Sequence, residues 1–176
     1  MSTDTAPVRL TTLLREDLRA NAGQLKGQLI VVAYRLAHAA RTPVDRPPRP
    51  WAVPVGVLYR LLVEWFLGVE IPWRTRIGRR LRVLHGVGIV VNDGAVLGDD
   101  VVLRQNVTIG NKRGGLPCPR IGDGVRLGAS AIVIGEVEIG AGAQVGAGAV
   151  VTRDVPAGAV AVGNPARVRI PAARAD

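Results

Sequence analysis

The sequence predicts a mainly β fold, a parallel β-helix of hexapeptide repeats with a small N-terminal α-helical subdomain. Two observations predict it: apolar residues recur six positions apart between residues 77 and 155, and glycine follows many of them. The longest run comprises Ile121, Leu127, Val133, Ile139, Val145 and Val151. No ordinary helix or strand has a period of six, whereas stacked hexapeptide coils do.

Each hexad is expected to form one short strand and a turn, with three hexads closing a triangular coil. About eighty residues then make about four coils. The repeated apolar residue points into the prism, and a small residue four positions later, such as Ala131 or Ala143, points inward near a corner. Hexapeptide coils are left-handed in known families, an exception to the right-handed crossover rule, so we predict a left-handed parallel β-helix.

The N-terminal segment, residues 1–67, is predicted to be helical. One helix is expected from residue 9 to about 41, with an apolar stripe formed by Leu25, Leu29, Val32 and Leu36. A proline-rich linker follows at 43–54, and a second helix is expected over 55–67. Two helices bury little by themselves, so we expect them to pack on the coils or on a neighbouring subunit.

The β-helix is predicted to span residues 68–167, and residues 168–176 are expected to form a surface tail. The repeat contains one unusual segment, residues 111–120, which keeps the hexad phase but carries Pro117 and Pro119. We expect a mobile loop there. Lys112 beside two glycines suits a loop that binds phosphate or closes over a ligand, and a solvated surface turn is the alternative.

The amino-acid composition limits the classes of partner and function that this protein can have. The net charge of +9 is spread over both halves of the chain, aromatic residues make up only 3%, and no nucleic-acid-binding motif occurs, so no nucleic-acid partner is expected. Phosphorylated cofactors, acidic glycans or an anionic membrane surface suit diffuse positive charge equally well. The single cysteine excludes an internal disulfide framework. The N-terminus has no apolar signal core, so cytoplasmic residence is expected.

Histidine is scarce, which focuses attention on His85. It interrupts the first hexad run and is closely followed by Gly86 and Gly88, an arrangement that suggests an open pocket at a coil edge. Glu70 precedes the repeat and could orient the imidazole, leaving its other nitrogen to accept a proton. His38 lies in the first predicted helix and is interpreted as structural. Two histidines cannot form a three-histidine zinc site, so no metal is expected.

Several motifs resemble a known family. The stretch HGVGIVVNDGAVLGDDVVLRQNVTIGNKRGG, the run from CPRIGDGVRLGA to VGAGAVV, and GNPARV are similar to the serine acetyltransferase branch of hexapeptide acyltransferases. The segments LREDLRAN, VVAYRLAH and LYRLLVEWFLGVEI resemble colanic-acid-type polysaccharide O-acetyltransferases more closely. Together these resemblances cover nearly the whole chain.

The resemblance implies an acetyl-CoA-dependent O-acetyltransferase. His85 falls on the family's general base, and Glu70 falls where an aspartate orients that histidine. The acceptor hydroxyl attacks the thioester directly. The resemblance also implies a coenzyme A groove between the subunits of a homotrimer, which can pair into a dimer of trimers. Its matching positions are Gly110, Asn111, Lys112, Ala129, Ala147 and Arg167.

The acceptor pocket departs from the serine-specific pattern. Leu84 stands where the family commonly has an aspartate, and Pro117–Cys118 replaces its Arg-His pair. With Asp93, these residues are the expected acceptor pocket. Cys118 lacks an activating histidine and is interpreted as pocket lining rather than a nucleophile. A sugar hydroxyl in exopolysaccharide biosynthesis is therefore the expected acceptor. Serine O-acetylation in cysteine biosynthesis is the alternative, and a non-catalytic hexapeptide scaffold is a lesser one.

The second predicted helix carries Trp65 and Phe66, with Arg60 nearby. Such a helix could rest on a membrane where lipid-linked sugars are built. The alternative is burial of its apolar residues against the coils or another trimer.

Overall fold

The computed structural model describes residues 8–41, 47–113 and 117–170. Within these residues, helices precede a long series of short strands. The helices are α1 (Leu10–Ala20), α2 (Leu25–Arg41) and α3 (Ala52–Tyr59), and α3 continues as a π-helical segment, Arg60–Phe66.

The strands form three sheets. Sheet A contains β1 (Val69–Glu70), β4 (Ile89–Val91), β7 (Thr108–Gly110), β10 (Ile132–Ile134) and β13 (Val150–Val151). Sheet B contains β2 (Arg76–Ile77), β5 (Val96–Leu97), β8 (Arg120–Ile121) and β11 (Glu138–Ile139). Sheet C contains β3 (Arg82–Leu84), β6 (Val102–Arg104), β9 (Arg126–Leu127), β12 (Gln144–Val145), β14 (Val160–Val162) and β15 (Arg167–Arg169).

The chain visits sheets A, B and C in turn, and all strand pairs are parallel except the final pair, β14 with β15. The result is a parallel β-solenoid of about four coils with N-terminal helices, which confirms the predicted fold class. Residues of the long hexad run are at most 3% exposed, and the small residues Ala131, Ala143 and Ala149 are fully buried. Each sheet therefore receives one inward-facing side chain of the hexad run per coil, and consecutive inward-facing side chains are six residues apart.

The helical boundaries differ from those predicted. The single helix expected over 9–41 is wrong, because the chain breaks between α1 and α2, where Gly23 adopts a left-handed φ of 77°. The second helix begins at Ala52 rather than residue 55, inside the predicted linker, because proline at position 54 fits a first helical turn. Residues 43–46 of that linker lie outside the described residues.

The structure also differs from the prediction in the orientation of the apolar stripe on α2 and in the start of the C-terminal tail. The predicted stripe on α2 faces outward, with Leu25, Leu29 and Leu36 about half or more exposed, while Ile30, Val31 and Tyr34 face the core. The predicted tail is wrong at its start, because β15 extends to Arg169 and pairs with β14. Residues 171–176 and the loop residues 114–116 lie outside the described part of the chain.

Side chains of the helical subdomain bond the backbone carbonyls of the first coil. A solenoid's terminal strands otherwise present unpaired polar groups, which must be covered. The expectation that the helices pack on the coils is therefore confirmed. The bonds run from Tyr59 to Ile71 O (2.5 Å), His38 to Trp73 O (2.7 Å), Tyr34 to Thr75 O (2.6 Å), Arg35 to Ile77 O (2.8 Å) and Gly78 O, and Asn21 to Leu81 O (2.7 Å).

A buried ion pair lies at the centre of this cap. The Arg35 Nε donates to Asp17 Oδ2 at 2.7 Å, and the two side chains are 4% and 0% exposed. The other Asp17 oxygen accepts from the Leu81 amide at 3.2 Å, and Asn21 Oδ1 accepts from the Val83 amide at 2.8 Å. The cap thus satisfies both donors and acceptors along β3 and the turn that precedes it.

We expect Arg35→Met to lower the free energy of unfolding by about 3–5 kcal/mol, because it leaves the Asp17 carboxylate buried without its cation. Urea unfolding followed by circular dichroism measures the change. The matched control is Arg60→Met, which removes an exposed pair with Glu64 and is expected to cost less than about 1 kcal/mol. Equal losses in the two variants would contradict the role given to the cap.

We also expect stability to fall on mild acidification because of His38. Burial lowers the pKa of its imidazole below the ordinary value of 6.5. The unfolded chain therefore binds a proton more readily, and the free energy of unfolding falls as pH drops below about 6.5. Urea titrations between about pH 7.5 and 5.5 test this, since His38→Gln should flatten the slope. An unchanged slope would contradict the assignment.

Candidate active site

His85 lies at the corner where the first coil passes from sheet C to sheet A, here named the C–A corner. Leu84 pairs with Arg104, and Val90 pairs with Thr108. In the first coil, five residues (85–89) therefore connect the paired position in sheet C to the paired position in sheet A. In the next coil, three residues (105–107) make the same connection. The two extra residues cause the shift between the first two hexad runs and widen the corner at His85.

The backbone conformation and close packing at this corner admit few residue types. His85 adopts a left-handed φ of 54°, which is uncommon for a non-glycine residue. A Cβ on Gly86 would lie 2.6 Å from Ile30 Cδ1, and one on Gly88 would overlap the Asn106 side chain. Only glycines fit beside the histidine. The exposed His85 side chain is held outward on this rigid corner.

A column of mostly small residues rises from His85 along the C–A corner. Extending the strand register by two residues places Gln105, Ala129, Ala147 and Gly163 on successive rungs. Of these, Gln105 was not predicted as a site residue. Its Oε1 is buried without a hydrogen-bond partner among the described residues. The sequence signal that could have identified Gln105 is a polar residue at a position where later coils have glycine or alanine.

The structure does not bring Glu70 and His85 into contact. Glu70 lies in β1 on sheet A, and its exposed side chain faces a cleft of about 370 Å³ lined also by Arg60, Glu64 and Arg74. No hydrogen bond joins Glu70 to His85 within the described chain. The orienting role of Glu70 stays a prediction.

The remaining predicted residues of the acceptor pocket cluster at a second corner, between sheets A and B, here named the A–B corner. Asp93 forms an ion pair with Arg74, and the Cys118 thiol lies 3.1 Å from Asn92 Oδ1. Burial raises the pKa of that thiol, which fits pocket lining better than nucleophilic attack. Pro117 and Cys118 line a cleft of about 460 Å³ that includes Arg120 and three carboxylates, Glu136, Glu138 and Asp154.

Three predicted coenzyme A residues lie at the A–B corner too. Gly110 ends β7, Asn111 and Lys112 follow it, and the Lys112 stem passes over Gly135, whose Cβ would lie 3.1 Å from Lys112 Cε. Arg167, another predicted contact, begins β15 at the far end of sheet C. The predicted residues thus divide between two corners that flank sheet A.

A single subunit keeps these corners apart. They are separated by the width of sheet A, where β4 has three residues, or about 10 Å of extended chain. The outer face of this sheet is largely apolar, with Val90, Thr108, Ile132 and Val150 in one register column. None of these four residues is charged, but Glu70 of β1 continues the column beside Val90, so the described strands place one carboxylate on this face.

Within 8–41, 47–113 and 117–170, no cluster of three or more His, Cys, Asp or Glu side chains is arranged to hold a metal ion. Over the same ranges, no helix has the length and apolar character needed to cross a bilayer.

The hexapeptide solenoid points to the class of hexapeptide-repeat transferases. A family model described as bacterial transferase hexapeptide (six repeats) matches residues 118–153. The putative colanic acid biosynthesis acetyltransferase WcaB of Escherichia coli K12 is 44% identical over 158 residues, which cover 88% of this chain and 98% of that protein. The chain therefore belongs to the hexapeptide-repeat acetyltransferases, and it is an O-acyltransferase.

Serine acetyltransferases are also similar. The probable serine acetyltransferase 4 of Oryza sativa is 43% identical over 144 residues, covering 81% of this chain and 44% of that protein. Soybean serine acetyltransferase superposes with a TM-score of 0.78 at 37% identity, covering 91% of this chain and 69% of that one. A serine acetyltransferase solved in complex with CoA superposes with a TM-score of 0.75 at 28% identity, covering 91% and 69%.

Proposed function

We propose that this enzyme transfers an acetyl group from acetyl-CoA to a sugar hydroxyl in exopolysaccharide biosynthesis, with His85 as the general base. The observation that carries the proposal is the exposed, left-handed His85, which is followed by the tightly packed Gly86 and Gly88 and lies at the foot of a column of mostly small residues. The relative that this chain spans almost completely is described as a colanic acid acetyltransferase, which supports a polysaccharide acceptor.

Acetyl transfer requires a general base and a binding groove for acetyl-CoA. His85 takes the proton of the acceptor hydroxyl as its oxygen attacks the thioester carbonyl. The tetrahedral intermediate collapses by breaking the carbon–sulfur bond, and the imidazolium returns its proton to the departing thiolate. Glu70 is the proposed orienting carboxylate, and this role requires side-chain movement because the two groups are not in contact.

The column above His85 is the proposed path of coenzyme A. Ala129 and Ala147 leave room for the pantetheine arm beside the backbone, and Gly110 and Asn111 border it from the other corner. Arg167 and Lys112 are proposed to meet the phosphates, as guanidinium and ammonium groups do. The solved CoA complex of a serine acetyltransferase with the same fold supports a CoA site here.

A homotrimer is part of the proposal. Three copies that turn their apolar sheet A faces toward a common axis bring the C–A corner of one subunit beside the A–B corner of the next. A cyclic interface pairs two different patches in this way. Such an assembly joins His85 of one subunit to Lys112 and Cys118 of the partner subunit. The two halves of the site support it, since neither is complete alone.

A sugar acceptor fits the site better than free serine. Serine presents an ammonium and a carboxylate, and each would need a polar or charged contact worth about 1.5–3 kcal/mol. Leu84 beside His85 and Pro117 at the other corner offer neither charge in place of the family's serine contacts, although Arg104 on sheet C and Asp93 at the A–B corner lie near them. Serine O-acetylation stays the alternative because serine acetyltransferases are similar over most of this chain.

We further propose that the enzyme resides in the cytoplasm and rests on the inner face of the membrane through α3 and its π-helical segment. The buried side carries Ala52, Gly56, Tyr59 and Val63. The opposite side has no charge: Leu58 is 66% exposed, Leu61 49% and Trp65 77%, and the adjacent Phe66 is 82% exposed. Burial against the chain's own coils does not account for this face. A helix whose exposed face is apolar and aromatic, with an arginine at its flank, suits a lipid interface.

We expect His85→Ala to lower acetyl transfer by about 10²–10⁴-fold, because the acceptor hydroxyl loses its base. Thiol release from acetyl-CoA is measured with L-serine and, separately, with neutral and acidic oligosaccharides. Because His85 is exposed, the variant should keep its urea midpoint and assembly size. Turnover equal to wild type would contradict the mechanism, and brisk turnover with serine alone would favour the serine alternative.

We expect the wild-type protein to float with vesicles containing phosphatidylglycerol, because the α3 face can bury its aromatic residues among the lipids. The double variant Trp65→Ser/Phe66→Ser should stay in the unbound fraction. Leu25→Ser/Leu29→Ser, which removes equivalent apolar side chains from α2, is the matched control. If wild type does not float, and Trp65→Ser/Phe66→Ser instead halves the assembly mass, the face is an interface between trimers.

A further inference from the structure

The outer face of sheet C is basic. Arg82, Val102 and Arg126 follow one another in register on neighbouring strands, and Arg104 stands beside them above Leu84. Among the described residues, the outward-facing positions of sheet C include no carboxylate. In contrast, sheet B combines Arg120 with Glu138 in register, and sheet A is largely apolar.

The three arginines Arg82, Arg104 and Arg126 border one cleft, here named the basic cleft, of about 380 Å³. Its floor is made by small or apolar residues, among them Leu84, Gly128, Gly146 and Ala147. Strands of one sheet lie about 4.8 Å apart, so Arg82 and Arg126 are about 10 Å apart at their Cα atoms, with Arg104 between them.

The guanidinium groups of the basic cleft have no carboxylate partner. None of the three forms an ion pair or a hydrogen bond within the described residues. Arg79 and Arg80 illustrate the contrast, since they pair with Glu16 and Asp100. Cations held this close repel one another, and an anion that bridges them removes the repulsion and accepts charge-assisted hydrogen bonds.

The basic cleft opens beside the proposed base. Leu84 lines it and directly precedes His85, and Arg104 lies one rung above Leu84. A ligand group in the cleft would therefore lie next to the hydroxyl that His85 deprotonates. On the proposed donor path, the pantetheine arm runs along the C–A corner past Ala147, which also borders the cleft, and carries the donor's phosphates toward Arg167 at the far end of the sheet.

We propose that the basic cleft binds an anionic group of the acceptor, a carboxylate or phosphate carried close to the sugar that is acetylated. The inference rests on the proposed function, and it adds that the acceptor is an acidic glycan or a sugar phosphate rather than a neutral sugar. Arg82, Arg104 and Arg126 are specificity residues, since they hold the acceptor and take no part in proton transfer.

Isothermal titration calorimetry with two probes tests this proposal. Trigalacturonate supplies carboxylates and inorganic pyrophosphate supplies phosphates, and each is titrated into protein saturated with coenzyme A so that the donor's own phosphate contacts are filled. The test variant is Arg82→Gln/Arg104→Gln/Arg126→Gln. The control, Arg15→Gln/Arg19→Gln/Arg49→Gln, removes the same charge from exposed positions away from sheet C.

We expect wild type and the control to bind at least one probe and the test variant to bind it at least about tenfold more weakly, since charge-assisted bonds to the anion are lost. The probe preferred by wild type identifies the anion as carboxylate or phosphate. Absence of binding to both probes in wild type, or equal weakening in the two variants, would overturn the proposal. So would a tenfold rise in the KM for acetyl-CoA in the test variant, which would assign the cleft to the donor.

The outcomes of this experiment distinguish the acidic-acceptor proposal from the proposed acetyltransferase mechanism. His85-dependent thiol release without probe binding would refute the acidic acceptor and leave the acetyltransferase mechanism standing. Probe binding without any His85-dependent thiol release would refute that mechanism and leave an anion site in place.

Discussion

The rest of the structure depends on how the open edge of the first coil is satisfied. A parallel solenoid begins with backbone groups that have no preceding coil to bond, and unpaired buried polar groups are costly. Here Tyr59, Tyr34, Arg35 and Asn21 donate to successive carbonyls of that coil, and Asp17 accepts from one of its amides. The helical subdomain is therefore the terminal cap of the solenoid, and it fixes the coil that carries His85.

The cap and the repeat together explain the position of His85, the proposed general base. Regular coils turn corners with few residues, and the two extra residues at the first C–A corner let His85 project from a rigid edge. Gly86 packs against Ile30 of α2, so the corner is held by the same subdomain that closes the coil. Two of the three outer faces suit the proposed roles: the largely apolar sheet A suits subunit contact, and the basic sheet C lies beside the proposed base, His85.

The parts predicted from the sequence are those set by local periodicity. Hexad residues such as Ile139 and Val145 are buried as expected, and the two-residue phase shift marks the corner of His85. The break after α1 was not predictable, because Asn21 bonds Leu81 and Val83 some sixty positions away. The outward stripe of α2 was missed since an apolar pattern does not say which face packs. The grouping of Arg82, Arg104 and Arg126 requires the strand register, which joins residues from three coils.

The central claim is that a complete site combines the C–A corner of one subunit with the A–B corner of its neighbour. Acetyl transfer by mixed trimers of His85→Ala and Lys112→Glu subunits tests it most directly. Each variant alone should be strongly impaired, and an equal mixture refolded together should recover about a quarter of the wild-type sites, because each such site takes its intact corners from two different copies. Activity of the mixture no greater than the mean of the two separate variants would contradict the claim.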